Sequence, residues 1–110
     1  MAKDDYFVIA YRLLKYLYDC LKRGKPPNVE VLSSDFFSIN EDYWQYIVRT
    51  LHEDGYIGGI LINAVLGSKP QATRLNQIEI TPKGILYLEE NSMFNKIKGA
   101  VKDIADALPI

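Results

Sequence analysis

The chain has 110 residues, 48% hydrophobic and 12% aromatic, with a formal net charge of −1. That is enough apolar material for one core and too short for two, so a disordered tail and a two-domain protein are both excluded. The near-neutral balance argues against a strong, sequence-blind nucleic-acid binder.

The single cysteine, Cys20, cannot form an internal disulfide, which suits a reducing compartment. The charged start from Lys3 to Asp5 lacks the pattern of a signal peptide. No apolar run reaches the roughly 18 residues of a membrane span. The expectation is a soluble cytoplasmic protein without a membrane partner.

The first predicted helix starts at Asp4 or Asp5 and ends near Gly24. Arg12, Lys15, Asp19 and Lys22 form one narrow polar stripe, and nearly everything else is apolar or tyrosine, including Tyr11 and Tyr18. So wide an arc predicts two buried faces, one to the core and one to a later element or a second subunit. Lys25-Pro26-Pro27 is a linker. Asn28 then caps a short helix over about Val29 to Ser34, and Asp35 to Ile39 is the turn.

The next helix organises the chain. Asn40 is its N-cap, Glu41 and Asp42 favour the positive end of its dipole, and Gly55 stops it in a left-handed conformation. Trp44, Ile47, Val48 and Leu51 fall on one apolar face. Ile57 to Leu66 reads as a strand, with Gly58-Gly59 marking a bulge or a close backbone approach. Gly67 to Gln71 is a turn, and Ala72 to Ile80 is the returning strand. Thr81-Pro82 starts a helix that stops at Asn91. Ser92 caps one more, in which Phe94, Ile97, Val101, Ile104 and Leu108 recur at a heptad-like 3-4-3-4.

The order predicts an α+β winged helix-turn-helix with a long N-terminal helix and an extra C-terminal amphipathic helix. Residues 1–110 form a single domain, its core about 4–91 and its last helix about 92–108. The long first helix, Leu51-x-x-x-Gly55-Tyr56-Ile57, and Ile80-Thr81-Pro82-Lys83-Gly84-x-x-Tyr87-Leu88-Glu89-Glu90-Asn91 resemble the YjcQ family. The resemblance covers roughly residues 4 to 105. It implies a small winged-helix protein in a phage or prophage context, and it brings no catalytic residues with it.

The residues themselves suggest no catalytic site, no metal and no cofactor. His52 reads as a solvated or capping residue, and Cys20 as a buried structural one. The pairs Glu41-Asp42, Glu53-Asp54 and Glu89-Glu90 sit at helix ends, where solvated carboxylates are common. No glycine-rich phosphate loop joins a strand to a helix.

Two functions remain. In the first, the chain is a DNA-binding transcriptional regulator. Gln45, Tyr46 and Arg49 on the exposed helix face meet the major groove of double-stranded DNA, with Gln45 suited to adenine and Arg49 to guanine. Lys69 and Arg74 on the wing reach phosphates, and Lys22 and Arg23 add charge. Against it, Arg49 is the only base in residues 26 to 55, facing Glu30, Asp35, Glu41, Asp42, Glu53 and Asp54. In the second, the winged helix binds a protein partner and no DNA. In either case the stripe of Phe94, Ile97, Val101, Ile104 and Leu108 has to be covered. It packs on the chain's own first helix or, as the favoured arrangement, forms a homodimer in which Tyr11 and Tyr18 also take part.

Overall fold

The computed structural model describes residues 2–102, with side chains as far as residue 92. Its elements run α1 (Tyr6–Arg23), α2 (Ser34–Phe37), α3 (Glu41–Glu53), β1 (Ile57–Gly58), β2 (Leu61–Asn63), β3 (Gln71–Thr73), a single 3₁₀ turn (Leu75–Gln77), β4 (Glu79–Ile80) and α4 (Pro82–Lys102). The fold is α+β.

α1 begins where expected, after Asp5, and ends at Gly24 in a left-handed conformation. Ile9, Ala10, Leu13, Leu14 and Leu17 are its buried line. The arc is less fully covered than its apolar content suggests. Phe7 and Leu21 are 61% and 53% exposed, and Cys20, expected to be buried, is partly exposed.

The short second helix lies later than expected. Asn28 does not cap it; its side-chain oxygen accepts from Glu30 N at 2.9 Å, closing a local turn. The helix waits for Ser33, whose hydroxyl accepts from Phe36 N. Ser34 to Phe37, assigned mostly to the turn from sequence, is the helical part. This phase points Phe37 inward, stacked on Trp44 with ring centroids 5.5 Å apart.

α3 matches its sequence closely. Asn40 Oδ1 accepts from Tyr43 N at 2.8 Å. At the other end Tyr56 N donates to Leu51 O and Gly55 N to His52 O, with Gly55 at φ 86°. Trp44, Ile47, Val48 and Leu51 are all buried.

The hairpin is less continuous than predicted. Each long strand is split, so β1 pairs with β4 and β2 with β3, both antiparallel. The break falls at Gly59, whose φ is 84° and which lies against the backbone carbonyl of Gln77 in the 3₁₀ turn. A side chain there would collide with backbone, so the glycine pair does mark a close approach.

α4 starts as predicted, with Thr81 Oγ1 accepting from Gly84 N at 3.1 Å and Pro82 in the first turn. It does not stop at Asn91. Asn91 Nδ2 donates to Tyr87 O, and Ser92 Oγ to Glu89 O, so both polar side chains bond back along a helix that continues to Lys102. The expected separate helix from Ser92 is therefore part of α4. Of the expected stripe, Ile104 and Leu108 lie outside the described residues, and Phe94, Ile97 and Val101 outside the described side chains.

The core joins α1, α3, Leu32 and Phe37 to Ile57, Ile60, Ala72, Ile78 and Ile80 of the hairpin and Leu88 of α4. Among the described residues no helix is long and apolar enough to cross a membrane.

Candidate nucleic-acid interface

The outward stripe of α3 follows from helical spacing: Asp42, Tyr46, Arg49 and Glu53. Tyr46 is half-exposed. Its ring meets Tyr6 edge-on at 6.1 Å, and the Arg49 guanidinium lies 5.8 Å from its centroid. Arg49 is only partly exposed, and its Nε is buried without a hydrogen bond among the described residues. The single base on the stripe is therefore partly withdrawn from solvent.

One flank of the stripe rests on the N-terminal end of α1. Thr50 Oγ1 lies 2.9 Å from Tyr46 O and 2.6 Å from the Tyr6 hydroxyl. If its one proton goes to the carbonyl, Tyr6 is the donor between the two hydroxyls. Tyr43 donates to Asp4 O at 2.6 Å. Burial raises the Tyr43 hydroxyl pKa, and the negative charges of Asp4 and Asp5 raise it further. This flank is acidic.

The other flank is tied to the hairpin through Gln45, which the sequence placed on the exposed face. It is 8% exposed. Its Oε1 accepts from Ala72 N at 2.8 Å, and its Nε2 donates to Glu41 at 3.1 Å. β3 pairs only with β2, so its other edge needs a partner for a buried N–H, and Gln45 supplies it. The amide is engaged at both ends and almost fully buried, which withholds it from a base edge. Only the distance of Gln45 from the apolar face was legible in sequence; the edge strand lying beside it was not.

The other expected phosphate contacts are scattered. Lys69 lies 4.0 Å from Asp42, both well exposed, a surface pair of little energetic weight. Arg74 is exposed on the hairpin, in a left-handed conformation at φ 61°. Lys22 and Arg23 sit at the far end of α1, about 24 Å along its axis from the Tyr6–Thr50 contact. Lys22 lies over the Tyr18 ring at 4.5 Å and 4.0 Å from Asp19. With Tyr11 and Tyr18 it lines a cleft of about 220 Å³ against Ile85, Leu88 and Ser92 of α4. The two tyrosines expected at a dimer interface thus face the first half of their own α4. Lys22 and Arg23 thus lie well away from the Arg49 end of α3.

No group of three or more metal-ligating side chains gathers among the described residues.

A family model described as YjcQ protein matches residues 11–107. The chain is 30% identical over 106 residues to the uncharacterized protein YjcQ of Bacillus subtilis (strain 168), a match covering 96% of this chain and 97% of that one. No solved structure matches significantly.

Proposed function

The chain belongs to the YjcQ family, and from that premise we propose that it is a winged-helix protein-interaction module that does not read duplex DNA. The order of helix, short helix, helix, interrupted hairpin and helix supports the winged-helix reading. The observation that carries the function is Gln45. The side chain best placed to read a base instead holds the hairpin to α3. What remains outward on α3 is Asp42, Tyr46 and Glu53 with a half-buried Arg49, an acidic and aromatic surface. Such a surface repels phosphate and suits a basic protein partner. We propose a non-enzymatic role and a homodimer held by the C-terminal stripe.

The test is a titration of a fluorescent generic duplex, with heparin retention alongside. At about 50 mM salt and micromolar protein, no salt-sensitive binding is expected. Binding that falls steeply with salt would replace this proposal with the regulator. The exposed Lys69 and Arg74 on the hairpin favour that second reading. In that case Arg49→Ala should lower cognate affinity by about 1–3 kcal/mol. Lys69→Ala should weaken all sequences alike and flatten the salt slope.

A further inference from the structure

On a side of α1 lined by neither Tyr46 nor Arg49, two adjoining cavities of about 370 and 350 Å³ share Arg12, Phe36 and Phe37. Together they make a trough between α1 and residues 31–38. Its far wall is held in place because the Tyr16 hydroxyl accepts from Asn28 N at 2.8 Å. Its floor is aromatic: Phe36 stands edge-on to Phe37 at 5.0 Å and is 49% exposed. Val29, close by in the chain, is exposed as well.

Arg12 crosses the middle of this trough. Its guanidinium lies 5.0 Å above the Phe37 ring. It is exposed and makes no ion pair among the described residues, whereas Lys15, one turn on, is held by Asp19 at 3.2 Å. A guanidinium lying over a ring still has N–H donors to offer a carboxylate. An anion alone would leave Phe36 wet, and an apolar group alone would leave the fork unused.

We propose that this trough docks a short segment of a partner protein that carries an apolar side chain, aromatic or leucine-like, next to a carboxylate. The apolar side chain lies against the exposed Phe36, and the carboxylate takes the Arg12 fork. The proposal goes beyond the α3 surface and does not depend on whether that surface meets protein or DNA.

The test uses the full chain and a capped, fluorescently labelled peptide, Glu-Asp-Leu-Phe-Asp-Glu-Leu. Its amide counterpart, Gln-Asn-Leu-Phe-Asn-Gln-Leu, 3-phenylpropionate and inorganic phosphate are the comparison probes. Binding is read by anisotropy and by amide chemical shifts. The acidic peptide should saturate, and it should shift residues 11–16 and 31–38. Affinity should fall about tenfold in Arg12→Gln, the usual scale for a hydrogen bond to a charged group. A clear loss is expected in Phe36→Ala, and none in Arg49→Gln. Arg12→Lys, which keeps the charge and loses the fork, should fall between wild type and Arg12→Gln.

Arg12 and Phe36 are exposed, so their variants should stay folded; if one does not, or if the partly buried Arg49 variant does not, the shift map of the unaltered chain decides. The proposal is overturned by shifts confined to α3 or α4, or by equal affinity in Arg12→Gln. Equally tight binding of the amide peptide would overturn it too, as would no saturation by about 1 mM peptide. If 3-phenylpropionate or phosphate binds as tightly as the peptide, the trough is a small-molecule or anion site and the proposal fails.

Discussion

Thr81 does two jobs with one hydroxyl. It accepts from Gly84 N to cap α4 and donates to Gly55 O at 2.6 Å, at the end of α3. Lys83 Nζ adds a bond to Asp54 O at 2.7 Å while lying over the Tyr56 ring. Gly84 is needed because a side chain there would strike Tyr56 O and Ile80. Two of the three stretches that carry the family resemblance therefore meet in space, and what they build is a clasp between α3 and α4. Thr81→Val should lower stability by about 1–2 kcal/mol in urea unfolding, the worth of a cap plus a hydrogen bond. Tyr6 and Tyr87 give a pH signature. Burial is the main cause that raises both hydroxyls above the ordinary tyrosine value of 10.0. A pKa raised by folding contributes stability that is whole below the unfolded value and is lost as pH climbs through the folded one. The melting temperature should therefore drop as pH rises above about 10, and Tyr87→Phe should flatten that drop.

At the scale of elements, α3 is where periodicity and packing agree. Its apolar face is buried against α1 and the hairpin, with Leu51 at 2% exposure. Leu51→Ala should cost about 2–5 kcal/mol, visible as a lower urea midpoint; an unchanged midpoint would place Leu51 outside the core. α2 and α4 differ from expectation for one shared reason. Asn and Ser both cap helices and bond locally, and composition does not say which. Asn28 closes a turn where a cap was expected, and Asn91 and Ser92 bond back inside a helix where a break was expected. The strands were cut by a tertiary contact between Gly59 and Gln77, far apart in sequence.

At the scale of the molecule, the described acids and bases differ in where they gather. Acids of the N-terminus and α3 share one region, while Lys22 and Arg23 lie at the far end of α1. That separation supports protein rather than duplex as the partner of α3. Assembly is tested separately. Replacing Ile97 and Val101 together with Asp should convert a dimer to monomer by light scattering, since each covered apolar side chain is worth about 1.5–3 kcal/mol. A wild-type monomer at about 100 μM would rule out the proposed dimer.

By itself the sequence determined what depends on near neighbours along the chain. That includes the extent of α1, the Asn40 cap, the Gly55 stop, the buried face of α3 and the Thr81-Pro82 start, because caps and helical periodicity act within a few residues. It also determined family membership. Tertiary structure alone decided the fate of Gln45, whose partner Ala72 lies 27 residues away. It alone separated Lys22 and Arg23 from Arg49, and gathered Arg12, Phe36 and Phe37 into one trough. Each of these depends on which distant backbone or ring comes to lie beside a side chain, and packing of the whole core sets that.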